Sequence, residues 1–166
     1  MKIALNHDWS EFLCALIAHR VRFLLIGGHA VAAHGEARLT EDLDVFVDPT
    51  RANAKRLREA LVAFGFGADL PPIATFAAPD KVFMLGRKPW RVDILTGIDG
   101  VSFKDAWASR VKADFVVEPL YVIGREALLA NKRASGRSKD VADIALIEAH
   151  PPRTRPGVRS KRRPPS

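Results

Sequence analysis

The chain has 166 residues, of which 48% are hydrophobic and 27% are charged, a composition typical of one soluble globular domain. No apolar run approaches the ~18 residues that a membrane span requires, and the early polar residues do not fit a signal peptide. Because Cys14 is the only cysteine, an internal disulfide is excluded and a cytoplasmic location is favoured.

The net charge of +7 is concentrated near the C-terminal end of the chain. From Pro151 onward there are six basic residues, no acidic residue and five of the eleven prolines, which leaves the rest of the chain almost neutral. This composition predicts one folded domain over residues 1–148 and a disordered basic tail over residues 149–166. Such a tail either contacts RNA phosphates nonspecifically or only adds solubility, and both interpretations stay open.

The first part of the chain predicts helices and strands in alternation. Apolar residues at helical spacing favour a helix over residues 9–19. Short apolar runs predict strands over residues 22–26 and 43–47, with a small-residue helix over residues 29–34 between them. These elements alternate closely enough to predict one folded unit that contains both helices and a sheet.

The remaining elements continue this mixture. A helix is expected to begin with Asp48 as its N-cap and Pro49 in its first turn, and to run to about residue 64 before Gly65 or Gly67. A proline-rich loop over residues 69–80 is expected to border the functional site. The later elements are expected as strands over 81–85 and 88–95, a short helix over 102–109, edge-strand pieces over 115–117 and 120–123, and helices over 125–134 and 138–148.

A pair of glycines stands between the first predicted strand and the helix that follows it. The first N–H groups of a helix have no partner within the helix, and the helix start carries a partial positive charge, so it attracts phosphate. Gly27 and Gly28 allow the backbone to approach an anion closely and to adopt dihedral angles that other residues avoid. This turn is therefore a candidate phosphate-binding site.

Three acidic residues are predicted on strands. Asp42 and Asp44 lie two residues apart, so their side chains point to the same face of one strand. Asp93 lies between Val92 and Ile94 on a later strand, where an unpaired buried charge would be costly unless it faced a metal ion. The competing interpretation is a carboxylate on the solvated face of a half-buried strand, paired with Arg91 or Arg87. Magnesium prefers oxygen ligands of this kind together with substrate phosphates.

Further candidates for nucleotide binding lie outside these strands. Arg38 and Thr40 precede the first two acids closely enough to contact a triphosphate or to orient a carboxylate. His29 is included because it adjoins the glycine turn, although packing on the helix is the competing role. Lys132, on the helix before the last, can reach a phosphate as a point charge, and Lys139 on the last helix is a further candidate. Near them Asp140 and Asp143 share a helix face, and Ser138 is expected to cap that helix.

The glycine pair, the two alternate aspartates and Asp93 resemble the polymerase-β nucleotidyltransferase superfamily. Within it, the short chain is similar to minimal nucleotidyltransferases, including abortive-infection toxins and related toxin–antitoxin components. The resemblance implies an α+β fold with a mixed central sheet flanked by helices. It also implies that the glycine pair holds a triphosphate, that Asp42 and Asp44 bind two metal ions, and that Asp93 is the third metal ligand and the base. Many members carry Gly-Ser where this chain has Gly27 and Gly28.

The resulting hypothesis is a metal-dependent nucleotidyltransferase that acts with Mg²⁺ or Mn²⁺. It would transfer a nucleoside monophosphate from a nucleoside triphosphate to a hydroxyl on RNA, a partner protein or a small molecule, and the resemblance implies a role within a toxin–antitoxin system. The alternative is a catalytically inert domain of the same fold that acts by binding, as an antitoxin-type component does. A Rossmann-type dinucleotide binder is disfavoured, because Gly-x-Gly-x-x-Gly is missing and the acids would repel a cofactor phosphate.

Overall fold

A computed structural model of the protein describes residues 5–67, 69–117 and 119–152. Most of the predicted basic tail, residues 153–166, lies outside the described residues, so that prediction is left open. The elements in chain order are α1 (His7–Ala18), β1 (Phe23–Leu25), α2 (Gly27–His34), β2 (Asp42–Val47), α3 (Arg51–Phe64), α4 (Ile73–Phe76), β3 (Val82–Leu85), β4 (Arg91–Leu95), α5 (Phe103–Ala108), β5 (Val111–Lys112), β6 (Tyr121–Val122), α6 (Arg125–Ser135) and α7 (Ser138–Glu148).

The described strands form one mixed sheet in the order β3-β4-β2-β1-β6-β5. Strand β2 is antiparallel to β1 and parallel to β4, and β1 is parallel to β6. The two strands that carry the predicted acids, β2 and β4, are therefore neighbours near the middle of the sheet. Helices flank this sheet, which confirms the expected α+β fold with a mixed central sheet.

Alternating burial fixes which way the side chains of β2 and β4 point. Leu43 and Val45 on β2 and Ile94 on β4 are completely buried, whereas Asp42 and Asp44 are only partly buried. Each fully buried side chain of this size contributes roughly 1.5–3 kcal/mol, so a slip of one residue in register would be strongly unfavourable. The apolar residues thus hold the acids on the opposite face.

The longer helices form where the sequence provides an apolar stripe and a cap. In α1 four residues at helical spacing are buried, Trp9, Phe12, Leu13 and Leu16, and the Asn6 side chain accepts a hydrogen bond from the Trp9 N–H. Helix α1 packs against α3, and α6 packs against α7. None of the helices in the described ranges is both long enough and apolar enough to cross a membrane.

Several local predictions differ from the structure. Thr50 rather than Asp48 caps α3, and its side chain accepts a hydrogen bond from the Asn53 N–H at 3.3 Å. Asp48 is instead committed to an ion pair with Arg22 at 3.4 Å. Helix α7 is capped by Arg137, whose backbone N–H donates to Asp140, so Ser138 is already helical.

The sheet edge also differs from the expectation. The edge strand that pairs with β6 on the side away from β1 is Val111–Lys112 rather than residues 115–117. Phe115 is completely buried, so its side chain packs in the core and does not lie on an exposed strand at the edge of the sheet. The loop over residues 69–80 contains α4 and lies beside a groove along β3, not along the cleft that holds the acids.

Candidate active site

The parallel pairing of β2 with β4 sets the three acids side by side. Asp44 is the register partner of Asp93, and Asp42 is the register partner of Arg91. Because side chains alternate along each strand and neighbouring strands lie about 4.8 Å apart, these four residues form a compact square on one face. The structure therefore brings Asp93 to the pair formed by Asp42 and Asp44.

The glycine turn lies directly against Asp44. Gly27 has a φ of +62°, and a Cβ atom built at this position would overlap the Asp44 carboxylate. The Ile26 N–H donates a 3.0 Å hydrogen bond to the Asp44 backbone oxygen, which ties the turn to β2. Only glycine meets both requirements here, since other residues avoid this φ and carry a Cβ. The start of α2 is thereby placed next to the acids.

Arg91 connects two of the three acids. Its Nη2 atom donates to Asp42 Oδ2 at 3.2 Å and to Asp93 Oδ2 at 3.1 Å, while Nε lies 3.0 Å from Asp93 Oδ1. The sequence suggested Arg91 only as a partner that would make Asp93 an ordinary surface acid. In the structure it bridges both strands within the cleft. A contact between Arg91 and Asp93 can be predicted from the sequence, because both residues lie on one strand. The contact between Arg91 and Asp42 depends on the register of β4 against β2.

The crowding of acids changes the protonation of Asp44. Burial, followed by the negative charges of Asp93 and Asp42, raises the pKa of Asp44 to about 6, against an opposing effect of Lys139 and Lys132. A cation bound at this carboxylate would favour its ionised form. The raised pKa is thus typical of a group whose partner is a positive ligand rather than a side chain of the protein.

A basic wall faces the acids across a cleft of about 480 Å³, a volume in the range of small-molecule sites. The cleft is also lined by Gly27 and Asp99. The wall consists of Arg38 from the loop before β2 and of Lys132, Arg137 and Lys139 from the region of the last two helices, whereas Arg91 on β4 lies among the acids. The cleft therefore has an acidic floor suited to cations and a basic wall suited to phosphates.

Asp140 and Asp143 support this wall from behind. Lys132 is almost completely buried and lies 3.2 Å from Asp140 Oδ1 and 2.8 Å from Asp143 Oδ2. Arg38 pairs with Asp143 at 2.8 Å, and Arg137 pairs with Asp140 at 2.9 Å. Burial raises the pKa of Asp140, but hydrogen bonds from Arg137 and Lys132 outweigh it and hold the pKa below its usual value. The two acids fix three cations at the cleft.

The sequence places Arg137 in the same group as Lys132 and Lys139 without assigning it a role, and it does not single out Asp99 as a cleft residue. Arg137 adjoins the predicted helix start and Lys139, which is a usable signal, because helix starts often face anions. Asp99 lies in the segment between β4 and α5, where it accepts a hydrogen bond from Ser135 at 3.2 Å. No local pattern distinguishes Asp99 from an ordinary loop acid.

Three of the predicted nucleotide-binding residues are not placed along the cleft. A Cβ atom at Gly28 would lie 2.9 Å from Thr40 Cβ, so these two residues pack against each other behind the turn. The Thr40 hydroxyl donates to the Asp42 backbone oxygen at 3.0 Å. The His29 side chain is buried edge-on against Trp9, with ring centroids 5.2 Å apart, and burial followed by Arg38 lowers its pKa to about 4. Its environment is that of a neutral packing residue.

The carboxylate oxygens of the three acids are chemically suited to a magnesium or manganese ion, but the described acids are not spaced closely enough to hold one. Asp42 Oδ1 and Asp93 Oδ1 are buried oxygens that accept no hydrogen bond, and such oxygens are the ligands these ions prefer. Among the described residues, however, no group of three or more His, Cys, Asp or Glu side chains is close enough together to hold a metal ion. The guanidinium of Arg91 lies between the carboxylates instead.

The mixed sheet, with a glycine turn and paired acids on its central strands, defines a nucleotidyltransferase-like domain. A family model described as "Nucleotidyl transferase AbiEii toxin, Type IV TA system" matches residues 11–125. This match covers more than half of the chain, which therefore belongs to that family of nucleotidyltransferase toxins from toxin–antitoxin systems, as the resemblance implied. No curated protein matches the chain. The matched segment ends at the start of α6, before the Lys132 cluster.

Proposed function

We propose that this protein is a metal-dependent nucleotidyltransferase that transfers a nucleoside monophosphate from a nucleoside triphosphate to an acceptor hydroxyl. The observation that carries the proposal is the division of one cleft into an acidic floor and a basic wall beside a glycine turn. Phosphoryl transfer needs positioning and charge neutralisation more than covalent help from the protein, and this cleft offers both.

Each side of the cleft has its own role in this proposal. Asp42, Asp44 and Asp93 would hold Mg²⁺ or Mn²⁺, which when bound neutralises the charge that develops on the phosphates. The start of α2 at Gly27 and the basic wall would hold the β- and γ-phosphates. Lys132, Lys139 and Arg38 belong to that wall, and Arg38 also stabilises it.

The bond changes follow from this arrangement. The acceptor oxygen forms a bond to the α-phosphorus, the bond from that phosphorus to the β-phosphate oxygen breaks, and pyrophosphate leaves. Asp93 would accept the hydroxyl proton, the role that the family resemblance implies for it, and its carboxylate lies beside Asp44 on the acidic face of the two central strands. The acceptor is a hydroxyl on RNA, on a partner protein or on a small molecule. Membership of a toxin–antitoxin family also predicts an antitoxin partner for this chain.

The direct test incubates the protein with α-labelled nucleoside triphosphates, Mg²⁺ or Mn²⁺, and RNA, protein or small-molecule acceptors. We expect label to appear on one acceptor class together with pyrophosphate. Asp44→Ala should abolish this transfer, whereas Asp105→Asn, which changes an exposed acid on α5, should leave it intact. A triphosphate that stays intact with every acceptor class and both metals would remove the enzymatic proposal.

One observation favours a second candidate function, a nucleotidyltransferase-like domain that acts only by binding. Thr40 fills the space beside Gly28, where many relatives carry a serine hydroxyl, and the acids are not yet gathered around a metal position. This candidate predicts weak metal-dependent nucleotide binding and a stable complex with a partner protein. Calorimetry with a non-hydrolysable triphosphate separates the two functions: tight Mg²⁺-dependent binding that Asp44→Ala abolishes supports the enzyme.

A further inference from the structure

Arg91 occupies the centre of the acidic floor. Its guanidinium contacts carboxylates on two neighbouring strands, Asp42 on β2 and Asp93 on its own strand β4. The pairing of Arg91 with Asp42 in the register of the sheet holds these groups together independently of loop motion. The arginine side chain is about a quarter exposed, so it has an open path towards the cleft.

The contacts of Arg91 leave the acids spaced for a guanidinium and not for a metal ion. Its nitrogens lie 3.0–3.2 Å from the carboxylate oxygens, whereas Mg²⁺ binds oxygen at about 2.0–2.1 Å. A guanidinium nitrogen at these distances from both carboxylates lies where a metal ion shared by Asp42 and Asp93 would have to bind. This accounts for the absence, within the described residues, of a gathered metal-ligand cluster around three acids of suitable type.

The geometry points to Arg91 as an internal cation that takes the place of the metal ion between Asp42 and Asp93 until a metal-bound triphosphate enters. The guanidinium then turns to the triphosphate, for which its planar set of donors is well suited. The inference rests on the proposed function, and it assigns Arg91 a positioning role that makes metal binding depend on the nucleotide. Arg91 itself takes up or releases no proton in the reaction.

Arg91 also has a reason to leave the acids once the nucleotide is present. The cleft already holds a basic wall, and a triphosphate that enters brings negative charge to the same volume. A metal ion arriving with it supplies the positive charge that the carboxylates lose when the arginine withdraws. The exchange therefore leaves neither the acids nor the arginine without an oppositely charged partner, which a buried charge requires.

The test measures Mn²⁺ binding by electron paramagnetic resonance at pH 7.5, without nucleotide and with a non-hydrolysable triphosphate. We expect wild-type protein to bind Mn²⁺ weakly alone and Arg91→Gln to bind it at least tenfold more tightly. With the triphosphate present, this difference should shrink to less than about threefold. Arg91→Lys, which cannot bridge both carboxylates in the same way, should lie between the two.

A matched control tests whether the loss of one positive charge is by itself enough to change Mn²⁺ affinity. Arg87→Gln deletes an exposed positive charge from the same β3–β4 hairpin and should change Mn²⁺ affinity by less than about twofold. Unfolding curves establish that each variant is folded, and Arg91→Lys serves if Arg91→Gln is not.

The outcomes distinguish the two proposals. If wild-type protein binds Mn²⁺ with the triphosphate but Arg91→Gln and Arg91→Lys gain no affinity in its absence, the role of Arg91 is overturned and the proposed function stands. An equal gain in Arg87→Gln would also overturn it. If no form of the protein binds Mn²⁺ even with the triphosphate, the proposed function and the role of Arg91 both fail.

Discussion

Asp44 lies in an environment that differs from that of an ordinary surface acid. It lies beside two other carboxylates and against the glycine turn, in a position that burial makes less favourable for a charge. Asp44 is therefore protonated over a wider pH range in the folded protein than in the unfolded chain. Metal binding requires the ionised form, so both the affinity for metal and the stability of the protein should depend on pH.

Asp44→Asn tests how the stability of the metal-free protein depends on pH. The folded pKa of about 6 exceeds the ordinary value of 3.8, so ionisation of Asp44 destabilises the fold as pH rises between these values. Asparagine removes that charge, and we expect it to raise the free energy of unfolding by roughly 1–3 kcal/mol at pH 7.5. At pH 4 the gain should nearly vanish. Urea denaturation at both pH values checks this, and equal gains at both would contradict it.

Lys132 presents the opposite situation, a buried cation that pairs with two acids, Asp140 and Asp143. Replacing it with methionine leaves Asp140 and Asp143 with one cation fewer, although Arg38 and Arg137 remain. Breaking a buried ion pair typically costs 3–5 kcal/mol, and we expect about 3 kcal/mol for Lys132→Met in urea denaturation.

The control for this prediction is Arg133→Met on the same helix. Arg133 pairs with Glu148 at 2.7 Å, but both side chains are about half exposed, and exposed pairs contribute about 0–1 kcal/mol. A loss of similar size in both variants would show that the buried network around Lys132 contributes no special stability.

At the scale of elements, the start of α2 and the loop before β2 are fitted to each other. A Cβ at Gly28 would lie 2.9 Å from Thr40 Cβ, so a larger residue at position 28 would be crowded by the Thr40 side chain. We expect Gly28→Ala to cost about 1–3 kcal/mol in unfolding free energy, as overpacking does. In a Thr40→Gly background the same change should cost at least about 1 kcal/mol less. A double-mutant cycle measures this coupling, and additive effects would show that the two residues do not interact.

Elements with local signals are the ones that the sequence predicts well. The end of α3 at Gly65, with a φ of +122°, follows from glycine chemistry, and the alternation in β2 follows from its apolar residues. Asp48 before Pro49 predicts the cap of α3, but Thr50 is the cap, because Asp48 pairs with Arg22, a residue distant in sequence that gives no local signal. Strand β5 was missed since its two exposed residues show no apolar alternation and form a strand only through β6.

At the scale of the whole molecule, the candidate site combines distant parts of the chain. The glycine turn and the acids have a recognisable pattern, so the sequence predicts them together. The bridge from Arg91 to Asp42 depends on strand register, and the burial of Lys132 depends on how α6 meets α7. Neither can be read from local spacing. The floor of the cleft and its wall are thus separate structures, and they should be separable by experiment.

Lys139 allows this separation to be tested without disturbing the fold. Its side chain lines the cleft from an exposed position, unlike that of Lys132. We expect Lys139→Gln to weaken binding of a non-hydrolysable triphosphate about 5–20-fold, as loss of one charged contact worth about 1–2 kcal/mol would. Its melting temperature without ligand should match that of the wild type. Calorimetry and thermal unfolding provide the two measurements.

Lys104→Gln on α5 removes an exposed lysine outside the cleft and controls for overall charge. This variant should bind the triphosphate as the wild type does, because charges separated by more than a Debye length are screened. Mn²⁺ binding without nucleotide should be weakened by neither variant, since a cation on the acidic floor is not attracted by the basic wall. If Lys139→Gln bound the triphosphate normally, the wall would not be the phosphate-binding half of the cleft.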